Sequence, residues 1–429
     1  MNQADSPPAV RDLPQGARQA ARIAGVEEAT GRAPLGFGEF VALIAALMAL
    51  TALGIDSMLP ALPAIGLTLG IASENERQLV ITAFLIGFGL GQLFHGPIAD
   101  RFGRRPVLLA SLAAYVAANA IAAFAASFEL LLVMRFAGGL AIAASRVVTV
   151  ALVRDCFSGR AMARVMSLAF MVFMAAPILA PAFGQAILLV GPWRLIFAMI
   201  AIVSAAILVW FAWRMPETQH PADRLPLSVQ RLAQGWQLAL TDRWSIGYTL
   251  ASTALLGALY GFINSVQQIV ADVLHAPHLL VIIFAGTAIT MAVANLMNSR
   301  IVVRVGMRYI SHTALCVLIG VSALHLAIAL AGWETILSFA VLQAVGMACF
   351  GLATANFGAM AMENMGAIAG TASSVQGFIS VTLGALIGAG IGQAFNGSTV
   401  PLYVGFLVAG IVALAIVTVV ERGRLFRSA

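Results

Sequence analysis

The sequence predicts an all-α membrane protein in which twelve transmembrane helices form two pseudo-symmetric six-helix bundles. Three observations predict it. Of the 429 residues, 61% are hydrophobic and 10% charged, with a mean hydropathy of +0.96, whereas an ordinary soluble domain carries about 25% charged residues. Twelve apolar runs each approach or exceed the roughly 20 residues that a helix needs to cross the hydrocarbon core. An Arg-x-Gly-x-Arg signature also occurs twice, each time between the second and third run of a set of six. Charge this sparse cannot coat a soluble domain, which excludes a soluble enzyme, a nucleic-acid binder and a disordered scaffold.

The runs lie near 40–65, 79–98, 106–126, 130–153, 165–190, 193–213, 246–271, 279–299, 309–331, 335–358, 367–395 and 401–420. Backbone polar groups must be satisfied within lipid, so the runs are expected to be helices. Residues 1–37 are polar, with no apolar stretch of signal-peptide type, and read as a cytoplasmic tail. The first bundle is then 38–213, the second 244–421, with a central cytoplasmic loop at 214–243 and a short tail at 422–429. In the central loop, Leu225, Leu227, Val229, Leu232, Leu238 and Leu240 interleave with polar residues, the pattern of an interfacial helix or of a plain linker.

Charge sets the orientation. All 24 basic residues are arginines, against 18 acidic ones, for a net charge of +6. With the N-terminus inside, 20 of the 24 fall in the tails and cytoplasmic loops, the excess of positive charge expected there. Arg77 and Arg194 lie outside, and Arg135 and Arg146 lie within the fourth run. Both termini are therefore expected in the cytoplasm. The three cysteines are scattered and carry neither a disulfide framework nor a metal-ligand spacing. A phosphate-binding loop of Walker type needs a lysine, and the sequence has none, so nucleotide-driven pumping is not expected. No cofactor or metal is expected, and a monomer is the default.

The first copy of the repeat reads Gly96-Pro97-Ile98-Ala99-Asp100-Arg101-Phe102-Gly103-Arg104-Arg105-Pro106, and the second Arg300-Ile301-Val302-Val303-Arg304-Val305-Gly306-Met307-Arg308. A duplicated six-helix unit with a site at its interface is the architecture of many secondary transporters. Gly103 suits a tight turn, and Asp100 is placed to bond Arg101 or Arg104.

Gly96 to Arg105 resembles the loop motif G-x-x-x-D-R-x-G-R-R of the major facilitator superfamily. More narrowly, the chain resembles the Bcr/CflA drug-resistance transporters of bicyclomycin type. The first span ends Ile55-Asp56-Ser57-Met58-Leu59-Pro60-Ala61-Leu62-Pro63, near that family's I-D-M-Y-L-P-A-L-P. Arg135-Phe136, Val153-Arg154-Asp155 and Ala369-Gly370-Thr371-Ala372-Ser373-Ser374 also agree. The resemblance spans about residues 38–420. It implies the twelve-helix fold, residence in a bacterial inner membrane, and efflux of small, varied compounds in exchange for protons. Ala176-Pro177-Ile178-Leu179-Ala180-Pro181-Ala182-Phe183-Gly184 resembles the antiporter motif G-x-x-x-G-P-x-x-G-G, with Ala176, Ala180 and Gln185 in place of glycines. Pro177 and Pro181 each remove a helix hydrogen bond and are expected to kink this span.

Ionisable residues inside a membrane are costly and mark function by default. At about 1.5 Å per residue, Asp56 lies roughly 24 Å above the inner boundary and Arg135 roughly 8 Å below the outer one, so the two are at comparable depth. The resemblance gives these residues the roles of proton-carrying acid and coupling arginine. The expected mechanism is a contact between them that breaks and re-forms as the bundles rock. Arg146, 11 residues beyond Arg135 and so on nearly the same helix face, is expected to line the same cavity, either against an anionic substrate group or as a structural hydrogen-bonding residue. Tyr260, Asn264 and Gln267 share a face of the seventh span and line a cavity or hold helices together. Gln268, Asn295, Asn298, Gln343, Asn356 and Gln376 carry the same ambiguity. Glu334 and Glu363 are expected to be solvated span-end residues, and His95 a hydrogen-bonded structural group. Gly87-x-x-x-Gly91 and Gly384-x-x-x-Gly388 suit close helix contact.

The leading expectation is a proton-coupled exporter of drug-like molecules. The alternatives are a dedicated exporter of a metabolite such as an amino acid or small peptide, a proton-driven importer, and a receptor that transports nothing.

Overall fold

A computed structural model describes residues 35–157, 159–220, 224 and 229–426. Twelve helices in it are long and apolar enough to cross a membrane. In order, spans 1 to 6 are Phe37–Leu69, Glu74–Phe102, Arg104–Ala123, Phe128–Cys156, Arg164–Val190 and Arg194–Arg214. Spans 7 to 12 are Arg243–Val273, Pro277–Val305, Met307–Leu330, Ile336–Met362, Ala369–Gln393 and Val400–Val420.

The two sets of six pack alike. Span 1 packs on span 5 as span 7 packs on span 11; the contacts of spans 2, 3 and 6 with 4, 4 and 3 recur as 8, 9 and 12 with 10, 10 and 9. The halves meet chiefly where span 2 lies along span 11 and span 5 along span 8. The repeated turn has the same backbone in both halves: Gly103 at φ 105°, ψ 158° and Gly306 at φ 89°, ψ 148°. This region is essentially closed to side-chain-bearing residues, which explains a glycine at both positions. The paired glycines pack as expected. Gly87 and Gly91 abut the carbonyls of Phe136 and Leu140 on span 4, and Gly388 abuts Tyr260 on span 7, leaving no room for a β-carbon.

At the arginine-rich face the loop motif forms a charge cluster. Arg104, 5% exposed, bridges Asp100 (2.5 Å) and Asp155 (3.1 Å). The Glu217 carboxylate accepts from the first backbone N–H groups of span 3, at Arg104 and Arg105 (3.0 and 3.2 Å), an N-terminal cap. Arg105 in turn donates to the Ala212 and Met215 carbonyls at the end of span 6. The second half repeats the scheme, Arg308 bridging Glu421 (2.9 Å) and Glu363 (3.4 Å). Glu363 is therefore ion-paired rather than simply solvated. Glu334 also departs from expectation. It is nearly buried, bonded to His325 (3.0 Å) and Thr399, with His325 stacked on Tyr403.

The central loop contains a helix, Val229–Thr241. Its Ala239 packs with Met365 and Ala372 near the adjoining ends of spans 10 and 11, so it is docked on the second half rather than a plain linker. Leu225 and Leu227 lie outside the described residues. Cys156 and Cys349 are buried, whereas Cys316 is exposed.

Candidate functional site

Span 1 breaks at its acid. The helix Phe37–Asp56 stops at Asp56, a 3-10 turn follows at Leu59–Ala61, and a second helix runs Leu62–Leu69. The sequence dictates the break. Pro60 and Pro63 have no N–H to offer the carbonyls of Asp56 and Leu59, so the ladder is interrupted just beyond the carboxylate. Asp56 is 4% exposed, and its Oδ1 has no hydrogen-bond partner among the described residues. A further helix follows it, so Asp56 lies within the stretch Phe37–Leu69 rather than at its end. Ser57 donates its hydroxyl to the Leu53 carbonyl.

Span 5 bears on this break. It runs as one helix through Pro177 and Pro181, and its Gly184 lies against the Ser57 carbonyl and Pro60. Any side chain at 184 would strike the backbone next to Asp56. Gly184 thus joins the motif of span 5 to the acid of span 1.

Arg135 is buried at 2% exposure on span 4. Its Nε donates to the Val80 carbonyl (2.9 Å), and its guanidinium lies over the Phe84 ring at 4.4 Å. Its Nη2 is unpartnered. The contact with Asp56 expected from depth is not made in this conformation. The guanidinium is engaged by span 2 through a carbonyl and a ring face, and no described carboxylate pairs with it. Tyr115, whose buried hydroxyl is unpartnered, and Phe84 both contact Gly54 of span 1, so the surroundings of Arg135 reach span 1 by packing.

Arg146 is different. Its side chain is exposed on span 4, near enough to the Tyr260 hydroxyl of span 7 for the two to interact electrostatically. Among the described residues it has neither an ion pair nor a hydrogen bond. Tyr260 also lies within range of Asp56 and so connects the electrostatics of the acid and the arginine. Asn264 reaches Thr82 of span 2 at 3.5 Å. Gln267, with Gln185, Pro60, Pro63 and His278, lines a crevice of about 400 Å³ between spans 1, 5, 7 and 8, away from the arginine-rich face.

A hydrogen-bond network that the sequence did not reveal lies at that same end. Gln78 and Gln268 share a buried hydrogen bond of 2.5 Å across the halves. Gln268 also donates to Asn75 (2.9 Å), Gln78 to the Gly392 carbonyl (3.1 Å), and Asn75 and Gln393 bond each other's backbone. Among the described residues, all hydrogen bonds joining the halves belong to this network or to the neighbouring Asn264–Thr82 contact. Hydrogen bonds thus hold the two halves together at the face opposite the arginines. Amides at the start of span 2 were the available signal. Other amides are internal glue: Asn298 pairs with Asn356, Gln376 bonds Ser245, and His95 bonds the Gly91 carbonyl.

This architecture matches known proteins. The model of the Major Facilitator Superfamily matches residues 44–389. The chain belongs to the Major Facilitator Superfamily. A bicyclomycin resistance protein homolog of Haemophilus influenzae is 31% identical over 81% of this chain and 87% of its own length. The uncharacterized MFS-type transporter YdgK of Bacillus subtilis is 29% identical over 80% and 86%. The multidrug resistance protein MdtL of Shigella dysenteriae is 30% identical over 53% of this chain and 57% of its own. The resemblance to the bicyclomycin-resistance type read from the motifs agrees with these relatives. Among solved structures, the human organic anion transporter MFSD10 matches with a TM-score of 0.63 over 89% of this chain and 99% of its own, at 17% identity, a likeness of fold. As a Major Facilitator Superfamily member, the protein is a multi-pass membrane transporter.

Proposed function

We propose that this transporter exports small drug-like compounds across the bacterial inner membrane in exchange for protons, with both termini cytoplasmic and by alternating access. The observation that carries the reading is Asp56. It is a buried carboxyl with an unpartnered oxygen at a proline-made break in span 1, and the next residue, Ser57, has its carbonyl against Gly184 of the antiporter-like motif. A break beside an acid gives the carboxyl a local hinge, so tilting of the halves changes its access to water and to Arg135 without unfolding a continuous helix.

In this reading, the conformation described is the one closed to the outside by the Gln78–Gln268 network. Asp56 takes a proton when that network opens, returns with it, and yields it to the cytoplasm as a substrate binds. Arg135 supplies a buried positive charge on the neighbouring span. The relatives named for bicyclomycin and multidrug resistance favour export of drug-like compounds over dedicated metabolite export.

The test uses purified protein in liposomes under an imposed pH gradient, with ethidium, chloramphenicol and ciprofloxacin as cargo. Uphill movement of at least one compound against inward proton flow is expected. Substrate moving in the same direction as protons would replace exchange with import, and no flux of any compound would overturn the reading.

A further inference from the structure

We propose that Arg146 is the anchoring site for a carboxylate on the transported molecule, and that the cargo it selects is zwitterionic. The first half stands on the position of Arg146 and its lack of a partner. Arg146 lies ten residues before the end of the helix Phe128–Cys156, and its side chain is exposed there without a partner among the described residues, which inside a span fits a hollow rather than a packed wall. A guanidinium cannot shed its charge, and one inside a bilayer ordinarily has a protein anion beside it. Arg146 has none. Many described carboxylates are engaged elsewhere, Asp100 and Asp155 by Arg104, Glu363 and Glu421 by Arg308, Glu334 by His325, Glu39 by Arg214 and Glu74 by Arg77. Asp56 is the one described acid in the middle of the spans, and it makes no bond with Arg146. A planar fork of N–H donors left open in a cavity fits a carboxylate with two parallel hydrogen bonds. Tyr260, on the other half, interacts electrostatically with the same group, so a carboxylate held at Arg146 sits on the side of span 4 that the second bundle approaches.

The second half rests on the exchange reading above. Exchange requires cargo and proton to compete. A cargo bearing only a carboxylate is repelled by ionised Asp56 and binds best when Asp56 is protonated, so it would travel with the proton instead of against it. A positive group on the same molecule reverses that linkage, because it favours the ionised form of Asp56. Carboxylate to Arg146 and cation towards Asp56 together give a zwitterion that displaces a proton.

The experiment measures binding to the full-length protein in nanodiscs by titration calorimetry, with three matched probes. Ciprofloxacin carries a carboxylate and a basic amine, its ethyl ester lacks the carboxylate, and its N-acetyl derivative lacks the basic amine. Wild type is expected to bind ciprofloxacin at least tenfold more tightly than the ester. Arg146→Ala is expected to reduce that ratio below threefold, and Arg146→Lys to leave it intermediate. A wild-type ratio near one, or a ratio that Arg146→Ala leaves intact, overturns the carboxylate site; should both variants fail to fold, the wild-type ratio alone decides. Raising the pH from 6 to 8 is expected to strengthen ciprofloxacin binding and weaken that of the N-acetyl derivative, and parallel responses overturn the zwitterion. If the exchange assay fails while the ester ratio holds, the transport reading falls and the carboxylate site stands.

Discussion

Gln268→Leu removes the centre of the network that closes the molecule opposite the arginine-rich face. Gln268 there makes two bonds to the first half, one with Gln78 at 2.5 Å and one with Asn75 at 2.9 Å. Leucine keeps much of the volume and removes both. In the opened state this position faces water, so the loss falls mainly on the closed state. Hydrogen bonds between membrane helices contribute about 0.6 kcal/mol on average and about 1.7 at most, so two amount to about 1–3 kcal/mol. That shifts the closed–open equilibrium about 5- to 150-fold towards open. Gln78 retains the Gly392 carbonyl and Asn75 retains its bonds to span 11, so the halves stay partly tied and the shift stays finite. The assay is pulsed electron resonance between spin labels at Leu67→Cys and Asn396→Cys, both exposed, after the three native cysteines are replaced by serine. A growing long-distance population is expected in Gln268→Leu. An unchanged distance distribution in well-folded protein would refute the network as the closing device.

Other perturbations probe the same framework. Gly184→Leu should abolish transport, since its side chain must displace the Ser57 backbone beside Asp56, and transport at wild-type rate would contradict the contact. Arg104→Ala leaves Asp100 and Asp155 without their shared cation and should cost about 2–3 kcal/mol, read as a lower unfolding temperature in detergent that Asp155→Asn partly restores. Glu334→Leu strips the partner from buried His325 and should lower thermal stability by a similar about 2–3 kcal/mol, whereas an unchanged melting temperature would show the pair to be dispensable.

The sequence made the spans legible because the bilayer demands length and apolarity, and each of the twelve runs became a helix. The repeat was legible for a conformational reason: Gly103 and Gly306 hold backbone angles that other residues avoid, so chemistry left the same letter in both turns. Asp56 falls on span 1 as counting placed it, but the break beyond it went unread although Pro60 and Pro63 carried the signal. Pairing was harder to read. Glu334 meets Thr399, far along the chain, so nothing local marked it as buried. Arg135 finds a carbonyl and a ring face where depth arithmetic offered an acid, and a backbone carbonyl has no letter of its own. The amides of Asn75 and Gln78 find their partners on spans 7 and 11, some 190 to 320 residues away, so no local pattern marked them.

The most direct measurement asks whether binding releases a proton from one carboxyl. In weakly buffered solution at pH 7, a pH-indicator dye would follow the addition of ciprofloxacin to purified transporter. Wild type is expected to release protons as the compound binds, and Asp56→Asn to bind it and release none. Equal proton release from both proteins would place the coupling carboxyl elsewhere.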